Sequence, residues 1–283
     1  MKFFKMVYAA IFALLTLCAC SSIPEGNDAP IALATFNVRV AIDKSPNTWA
    51  ERLPRCREII EKNGFDIVGL QEPLINQVES LIKDSPYDYI GGGRDDFRKK
   101  GEFCAILYRR SRFDCLQSGT FGLSETPDVP GVRSWQSACP RIATWGLFRD
   151  KMTGREFVYY NTHLDHKSEL ARCEGIKLIV NHAKKYVVGK PIIISGDFNA
   201  SPGKQAYKTA QSLLNDSRLI SSTPHVGPDK TYHAWGKSRI TKPIDFIFVS
   251  DEFKVHSHRT IDTLRDGVYA SDHHPVLAIL TLK

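Results

Sequence analysis

The segment PIIISGDFN, residues 191–199, joins an apolar run to an abrupt polar end. Consecutive isoleucines after a proline are typical of a short, buried β-strand. Asp197 and Asn199 flank Phe198, so the two polar side chains point the same way if the strand continues through all three residues. Polar groups at the end of a buried strand indicate a functional site, because loops diverge and solvent enters there.

The same pattern, an apolar segment that runs into a polar group, occurs at three other places along the chain, and two further polar clusters, at Asp245 and at residues 272–274, add to it. A single carboxylate after a strand is usually a helix cap or a surface charge, but a whole series of such segments is difficult to explain by capping. The polar residues are Asn37 in TFNVR, Glu72 in LQEP, His163 and Asp165 in NTHLDH, Asp245 in PIDFIFV, and Asp272, His273 and His274 in SDHHP.

These residue types suit metal-assisted acid–base chemistry. Glu72 and Asp272 offer the hard oxygen ligands that Mg²⁺ prefers, and this ion usually takes only one or two protein carboxylates. His273 is a candidate base if a carboxylate holds its second ring nitrogen, and Asp245 is the candidate for that partner.

The rest of the chain predicts a mixed α/β fold in one domain. Apolar residues recur at helical spacing over approximately 49–60, 74–83, 166–187 and 204–214. Strand composition covers 31–40, 65–70, 87–90, 103–108, 112–118, 142–148, 156–163, 191–198, 244–249, 254–259 and 275–282. Several strands follow one another without a helix, which favours mixed sheets over a doubly wound parallel sheet. Pro54 must either lie in the first turn of its helix or kink it.

The segments TFNVR, LQE, NTHLD, GDFN, IDFIF and SDHHP carry a family resemblance. Their order and spacing over residues 31–283 resemble the endonuclease/exonuclease/phosphatase superfamily, which has the fold of deoxyribonuclease I. The resemblance implies a four-layer α/β/β/α sandwich, in which two mixed sheets pack together and helices cover the outside. It also implies hydrolysis of a phosphoester with Mg²⁺, for which Mn²⁺ is a substitute.

The resemblance implies a role for each matching residue on the metal and water side of the site. Glu72 binds the metal, and Asn37 and Asp272 lie nearby as further ligands or as support for the ligands. Asp197 and Asn199 position and deprotonate the attacking water or hold the phosphate.

A histidine pair completes the implied site. His273 is the catalytic histidine and Asp245 orients it, while His163 donates a hydrogen bond to a non-bridging phosphate oxygen. This division agrees with phosphoryl transfer, which gains most from positioning and from charge stabilisation on the equatorial oxygens.

Further residues are expected near the substrate on weaker grounds: Asp165, Arg172, Thr231, His233 and Trp235. Asp165 has the alternative role of a helix N-cap, and Arg172 that of a structural ion pair. The loop 91–101 carries Arg94, Arg98, Lys99 and Lys100, and it either holds a phosphate-bearing substrate at the cleft rim or is simply solvated. His274 is interpreted as a packing residue. The remaining histidines are interpreted as surface residues: His166, His182, His225, His256 and His258.

The composition narrows the function without naming a substrate. With 42% apolar and 24% charged residues in 283, the chain is not disordered, collagen-like or a multi-span membrane protein. A net charge of +7 is compatible with an anionic partner such as nucleic acid or a phosphate ester. A phosphodiesterase or nuclease is the favoured activity. A phosphomonoesterase acting on a sugar phosphate, an inositol phosphate or another small molecule remains open, as does a binding lipoprotein without activity.

The N-terminus predicts export and lipid anchoring. Residues 1–20 combine early lysines, an apolar run from Met6 to Leu17 and a small-residue exit, which is the pattern of a signal peptide. The end of this segment resembles a bacterial lipobox, so we expect cleavage before Cys20, lipidation of Cys20 and a tether over 21–30. A plain secretory signal is the alternative. The mature protein is then expected to be a monomer anchored at the bacterial cell envelope.

Overall fold

The computed structural model of the protein describes residues 29–283. The predicted signal peptide, Cys20 and nearly all of the tether lie outside this part of the chain. Among the helices of residues 29–283, none combines the length and the apolar character needed to cross a membrane.

The described chain alternates strands with a few helices. Its first half contains β1 (Ile31–Asn37), α1 (Trp49–Lys62), β2 (Ile67–Gln71), α2 (Ile75–Ile82), β3 (Tyr87–Ile90), β4 (Ile106–Arg109), β5 (Phe113–Gly122) and β6 (Ile142–Asp150). Its second half contains β7 (Glu156–His163), α3 (Glu169–Tyr186), β8 (Ile192–Asp197), α4 (Gln205–Gln211), β9 (Asn215–Asp216), β10 (Asp245–Val249), β11 (Phe253–Thr260) and β12 (Val276–Leu282).

The strands form two six-stranded mixed sheets, as the sequence predicts. One sheet has the order β11-β12-β1-β2-β4-β3 and the other has the order β5-β6-β7-β8-β10-β9. In the first sheet β1 and β2 run parallel, in the second β7 and β8 do so, and the other pairs are antiparallel.

Three apolar clusters separate the layers of the sandwich. The middle cluster joins the inner faces of the two sheets and includes Leu33, Phe148 and Tyr159. One outer cluster lies between the first sheet and helices α1 and α2, and the other between the second sheet and helices α3 and α4. Because the central strands are buried on both faces, they are almost wholly apolar, and any polar residue in them stands out. The predicted four-layer sandwich is therefore confirmed.

Several local expectations differ from the structure. Pro54 lies at the sixth position of α1, inside the helix rather than in its first turn. The strand expected over 103–108 begins at Ile106, and β5 extends to Gly122 across an irregularity between Cys115 and Gln117. His258 is not a surface residue: its side chain is buried and lies 2.9 Å from His225, nitrogen to nitrogen.

The strand register brings the polar strand ends to one edge of the sandwich. Asn37 at the end of β1 pairs with Gln71, the residue before Glu72. His163 at the end of β7 pairs with Asp197 at the end of β8, and Asp197 pairs with Asp245 at the start of β10. Residues that are far apart in the sequence are thus adjacent in space.

Candidate active site

A cavity of about 540 Å³ opens at this edge of the sandwich. Of the residues predicted for the site, six line it: Glu72, His163, Asp197, Asn199, Asp272 and His273. Asn37 and Asp245 are buried behind the wall, and each hydrogen-bonds to a residue that lines the cavity. All eight residues that were predicted as catalytic or metal-binding therefore lie at this one cavity, in its wall or directly behind it.

His273 and Asp245 form a buried pair at the centre of the site. The His273 Nδ1 lies 2.8 Å from Asp245 Oδ2, while its Nε2 faces Asp197 Oδ2 at 3.7 Å. Burial alone lowers the pKa of His273, but the charge and hydrogen bond of Asp245, with the charges of Asp197 and Asp272, raise it to about 10. The ring is therefore a cation near neutral pH, held in orientation by Asp245.

Asp197 lies between the two histidines. Its Oδ2 is 3.4 Å from His163 Nε2 and accepts a hydrogen bond of 3.2 Å from the Asn37 amide nitrogen. Burial, followed by the charge of Asp245, raises the pKa of Asp197 to about 7, although His273 opposes the shift. A buried carboxylate with a pKa close to neutrality is well matched to accepting a proton from water.

Asn199 reaches the cavity through a turn and not through a continued strand. Strand β8 ends at Asp197, and Asn199 has a φ of 47°, in the left-handed region that asparagine tolerates. Asp197 Oδ1 accepts a hydrogen bond of 2.9 Å from the Asn199 backbone nitrogen, which closes the turn. The sequence-based reason for grouping these two side chains is wrong, but both do line the cavity.

His163 is neutral in this environment. Burial, with the positive charges of Arg141 and His273, lowers its pKa well below the usual value. The Asn199 side-chain nitrogen lies 3.0 Å from His163 Nε2 and 3.0 Å from the Leu164 carbonyl, so it donates to both. In this arrangement Nε2 is an acceptor, and donation from Nε2 to a phosphate oxygen requires the ring tautomer that carries the proton there.

Glu72 and Asp272, the metal residues that the resemblance implies, offer carboxylate oxygens at the cavity, where a further group of possible ligands is formed by Asp197, Asp245 and His273. Glu72 accepts hydrogen bonds from the Asn37 amide nitrogen at 2.9 Å and from the Val40 backbone nitrogen at 3.1 Å. Burial raises the pKa of Asp272, and the charge of Glu72 adds to the shift, while the positive charges of His273 and Arg39 oppose it. Two hard oxygen donors in a cavity with room for water suit an ion such as Mg²⁺.

Asn37 supports these ligands from behind. Its side-chain oxygen accepts a hydrogen bond of 3.0 Å from the Arg39 backbone nitrogen, which leaves its amide nitrogen facing Glu72 and Asp197. Of the two roles that the resemblance implies for Asn37, the structure therefore favours support over direct ligation.

Arg39 was not singled out from the sequence, yet it lines the cavity beside the metal carboxylates. Its guanidinium is 3.7 Å from Glu72 Oε2 and 3.9 Å from Asp272 Oδ2, and it hydrogen-bonds Asp43 at 3.1 Å. The sequence did contain one indication of this position, because Arg39 follows Asn37, the polar end of β1, by two residues. Arg39 would therefore compete with a bound metal ion for both carboxylates.

Replacing Arg39 by alanine is therefore expected to tighten divalent-metal binding. Removing a partly exposed charge about 4 Å from the ligands changes their interaction by about 1 kcal/mol, or roughly 3- to 10-fold in the dissociation constant. Titration calorimetry with Mg²⁺ measures this, and Arg98→Ala, on an exposed loop, is the matched control. Weaker metal binding by Arg39→Ala would mean that the arginine supports the site instead of competing with the ion.

The structure does not bring the five predicted substrate contacts to the cavity. Asp165 accepts hydrogen bonds from the backbone nitrogens of residues 138, 167 and 168 in the turn before α3, so its role is structural, but the N-cap of that helix is Ser168. Arg172 donates to the Asp165 carbonyl at 2.7 Å and pairs with Glu169, so it is structural.

The remaining three of these predictions are also corrected. Thr231 is fully buried and accepts hydrogen bonds from the backbone nitrogens of residues 244 and 245. His233 is buried between the rings of Tyr269 and His274, which confirms the packing role of His274. The Trp235 ring lies 5.7 Å from the Arg52 guanidinium.

Sequence reasoning missed a polar group of residues at the other end of the cavity. Arg94, which the sequence left open as a phosphate contact, lines it, whereas Arg98, Lys99 and Lys100 are not among the lining residues. His166 is exposed but lies at the cavity rather than on a free surface. The other members are Glu102, Cys139 and Arg141, while Tyr232, which also lines the cavity, lies against the His273 ring. An available signal was Arg141, a charge placed directly before the apolar strand β6.

The model of the Endonuclease/Exonuclease/phosphatase family matches residues 34–273. The chain belongs to the endonuclease/exonuclease/phosphatase family. Members of this family hydrolyse phosphoesters, which agrees with the activity that the resemblance implies. The described residues supply that chemistry with a carboxylate pair for the ion, a raised-pKa carboxylate and a histidine cation.

Solved structures of the family are similar over almost the whole chain. An endonuclease/exonuclease/phosphatase from Bacteroides vulgatus is 37% identical with a TM-score of 0.86, covering 90% of this chain and 100% of that one. A mannosyl-6-phosphatase from Bacteroides thetaiotaomicron is 35% identical with a TM-score of 0.83, covering 89% and 100%.

Curated relatives are more distant. The CCR4-Not complex 3'-5'-exoribonuclease subunit Ccr4 from Aspergillus niger is 23% identical over 280 residues, covering 81% of this chain and 40% of that protein. The chain spans about a third of the length of two other curated relatives, with coverages of 31% and 32%.

Proposed function

We propose that the protein is a Mg²⁺-dependent phosphomonoesterase that acts on a small phosphorylated molecule, with sugar phosphates as the substrate class. The observation that carries this proposal is the cavity: at about 540 Å³ it has the size of a small-molecule site. The similarity to the mannosyl-6-phosphatase supports the same substrate class. This choice reverses the preference for a diester that the sequence suggested.

The charges around the cavity suit a phosphate monoester. A monoester dianion carries more charge than a diester, and the cavity presents the His273 cation together with the guanidinium group of Arg141. Preorganised cations and donors stabilise the charge that develops on the phosphoryl oxygens. Glu72 and Asp272 line the same cavity, so a divalent cation held by them would add positive charge there.

The chain's own residues divide the reaction between them. Asp197, when ionised, accepts the proton of the attacking water, and Asn199 fixes the turn that aims this carboxylate. His273, oriented by Asp245, stabilises the phosphoryl oxygens or protonates the leaving oxygen. Mg²⁺, held by Glu72 and Asp272, supplies further stabilisation of the phosphoryl and leaving oxygens when bound.

A panel of phosphate esters tests the proposal. With Mg²⁺, the purified protein should release phosphate from hexose 6-phosphates and from p-nitrophenyl phosphate, and EDTA should abolish the release. Bis-p-nitrophenyl phosphate and single-stranded RNA should be cleaved at least about 100-fold more slowly. This is expected if the site binds the transition state of a monoester better than that of a diester. Preferential cleavage of the diesters would reject the phosphomonoesterase.

The second candidate is an exoribonuclease, and the observation that favours it is the similarity to the Ccr4 exoribonuclease subunit. The same panel decides between the two, because RNA releases nucleotides only in the second case.

The pKa values predict the pH profile of this reaction. Asp197 must be ionised to accept a proton, so kcat/KM should rise with pH through about 7, and loss of the His273 proton should lower it again near 10. The charge of Asp245 raises both pKa values, so both limbs should move to lower pH in Asp245→Asn. A profile flat between about pH 5 and 8 would contradict the role of Asp197.

We also propose that Cys20 carries a lipid that anchors the enzyme at the bacterial cell envelope. The lipobox-like end of the signal segment supports this. Cys20→Ala should move the protein from the membrane to the soluble fraction of expressing cells, whereas Cys18→Ala should leave it in place. Membrane retention of Cys20→Ala would reject the anchor.

A further inference from the structure

The loop between β3 and β4 holds its ends in a defined shape. The backbone nitrogen of Arg94 donates to the Glu102 carbonyl at 3.0 Å, which ties the two sides of the loop together. A Cβ on Gly92 would lie 2.2 Å from the carbonyl oxygen of Phe97, so the backbone of the loop packs tightly on itself. This tightly packed loop therefore holds Arg94 and Glu102 in place at the active-site cavity.

The two side chains form an ion pair that is only partly used inside the protein. Arg94 Nη1 lies 2.7 Å from Glu102 Oε2, and each side chain is 21% exposed. Among residues 29–283, no hydrogen bond reaches Glu102 Oε1, Arg94 Nε or Arg94 Nη2. One acceptor and several donors thus remain available side by side in the cavity.

From this geometry we propose that Arg94 and Glu102 bind neighbouring hydroxyl groups of the substrate's polyol part. A hydroxyl group donates one hydrogen bond and accepts others, so a carboxylate oxygen beside a guanidinium fits adjacent hydroxyls of a sugar. Glu102 neutralises Arg94, so the pair offers little net charge to a second phosphate. The inference rests on the proposed function, since it assigns the specificity of that same cavity.

The pair acts on substrate choice and not on the chemical step. Burial raises the pKa of Glu102, with Arg94 opposing the shift, so the carboxylate gains from a hydroxyl donor that satisfies its free oxygen. A ligand without hydroxyls leaves Glu102 Oε1 and the remaining Arg94 nitrogens without a partner, and a site built to hydrogen-bond a hydroxyl disfavours such a ligand.

Two variants and two substrates test the inference. In the full-length protein with Mg²⁺, Glu102→Ala and Arg94→Met should each lower kcat/KM for a hexose 6-phosphate about 10- to 100-fold, mainly through KM. The kcat/KM for p-nitrophenyl phosphate, which has no hydroxyl groups, should change by less than about 3-fold. Lys99→Ala is the matched control on the same loop, since its side chain is 73% exposed. Equal losses on both substrates, or no loss on either, would overturn the inference.

A binding experiment separates this inference from the proposed function. If the wild type releases phosphate from no monoester, the proposed function fails. Calorimetric titration with a hexose 6-phosphate and with inorganic phosphate then tests the pair directly. The inference holds if Glu102→Ala weakens binding of the sugar phosphate at least about 10-fold and leaves inorganic phosphate binding unchanged. It is overturned if the wild type and Glu102→Ala bind the sugar phosphate equally, or if neither binds it.

Discussion

His273→Ala is expected to lower kcat by about 10²- to 10⁴-fold, the usual cost of removing a positioned acid–base group. The ring is buried, lies 2.8 Å from Asp245 and faces Asp197 at 3.7 Å, so alanine leaves both carboxylates without the cation between them. Asp245→Asn should cost less, because the imidazole remains while its orientation and its charge are weakened.

Single and double variants together show whether the two residues act as a unit. Since Asp245 works through His273, the double variant should be no slower than His273→Ala alone. Steady-state phosphate release from p-nitrophenyl phosphate measures all three, and His256→Ala, a histidine of β11 outside the cavity, is the control. Additive losses would show that Asp245 has a separate role, and unchanged activity in His273→Ala would reject the mechanism.

Arg52→Ala is expected to lower the free energy of unfolding by about 3–5 kcal/mol, the range for removing a buried charged partner. Arg52 is fully buried on α1. Its guanidinium is surrounded by backbone carbonyl groups, to which it donates: those of Val38, Arg39, Val40, Asn47 and Ala270. Loss of the side chain leaves a cavity and strands several buried acceptors.

The same side chain connects stability to the active site. Its acceptors include the carbonyl of Val38, which follows Asn37, and the carbonyl of Ala270, two residues before Asp272. Urea unfolding followed by circular dichroism measures the loss, and Lys62→Ala, on the same helix and 74% exposed, should change stability by less than about 0.5 kcal/mol. Arg52→Lys should restore little, because one ammonium group cannot reach this set of carbonyls. A loss below about 1 kcal/mol for Arg52→Ala would contradict the role.

The catalytic end of the site was predictable because its residues interrupt apolar strands. In a sheet that is buried on both faces, Asn37, His163 and Asp197 are conspicuous at the ends of β1, β7 and β8. Strand ends that meet at one edge of a sandwich then bring such residues together. The pattern does not reveal local backbone geometry, and the turn at Asn199 was missed for that reason.

The end of the cavity that Arg94 and Glu102 line was not predictable in the same way, because it is built from loops. Thr231, His233 and Trp235 follow one another closely in sequence, but the two that are fully buried turn inward to make structural contacts. Arg94 and Glu102 are ordinary charged residues of a polar loop, with no apolar run to mark them.

By itself, the sequence determined the mixed α/β fold class and the polar strand ends, since apolar runs and the polar residues that end them are local patterns. The family and the four-layer sandwich followed from the resemblance of the segments TFNVR, LQE, NTHLD, GDFN, IDFIF and SDHHP to a known family. Tertiary structure alone decided which charges share the cavity: Arg39 beside the metal carboxylates, Arg141 near His163, and Arg94 paired with Glu102. The physical reason is that side-chain direction and burial in loops follow from long-range packing, which no short stretch of sequence encodes.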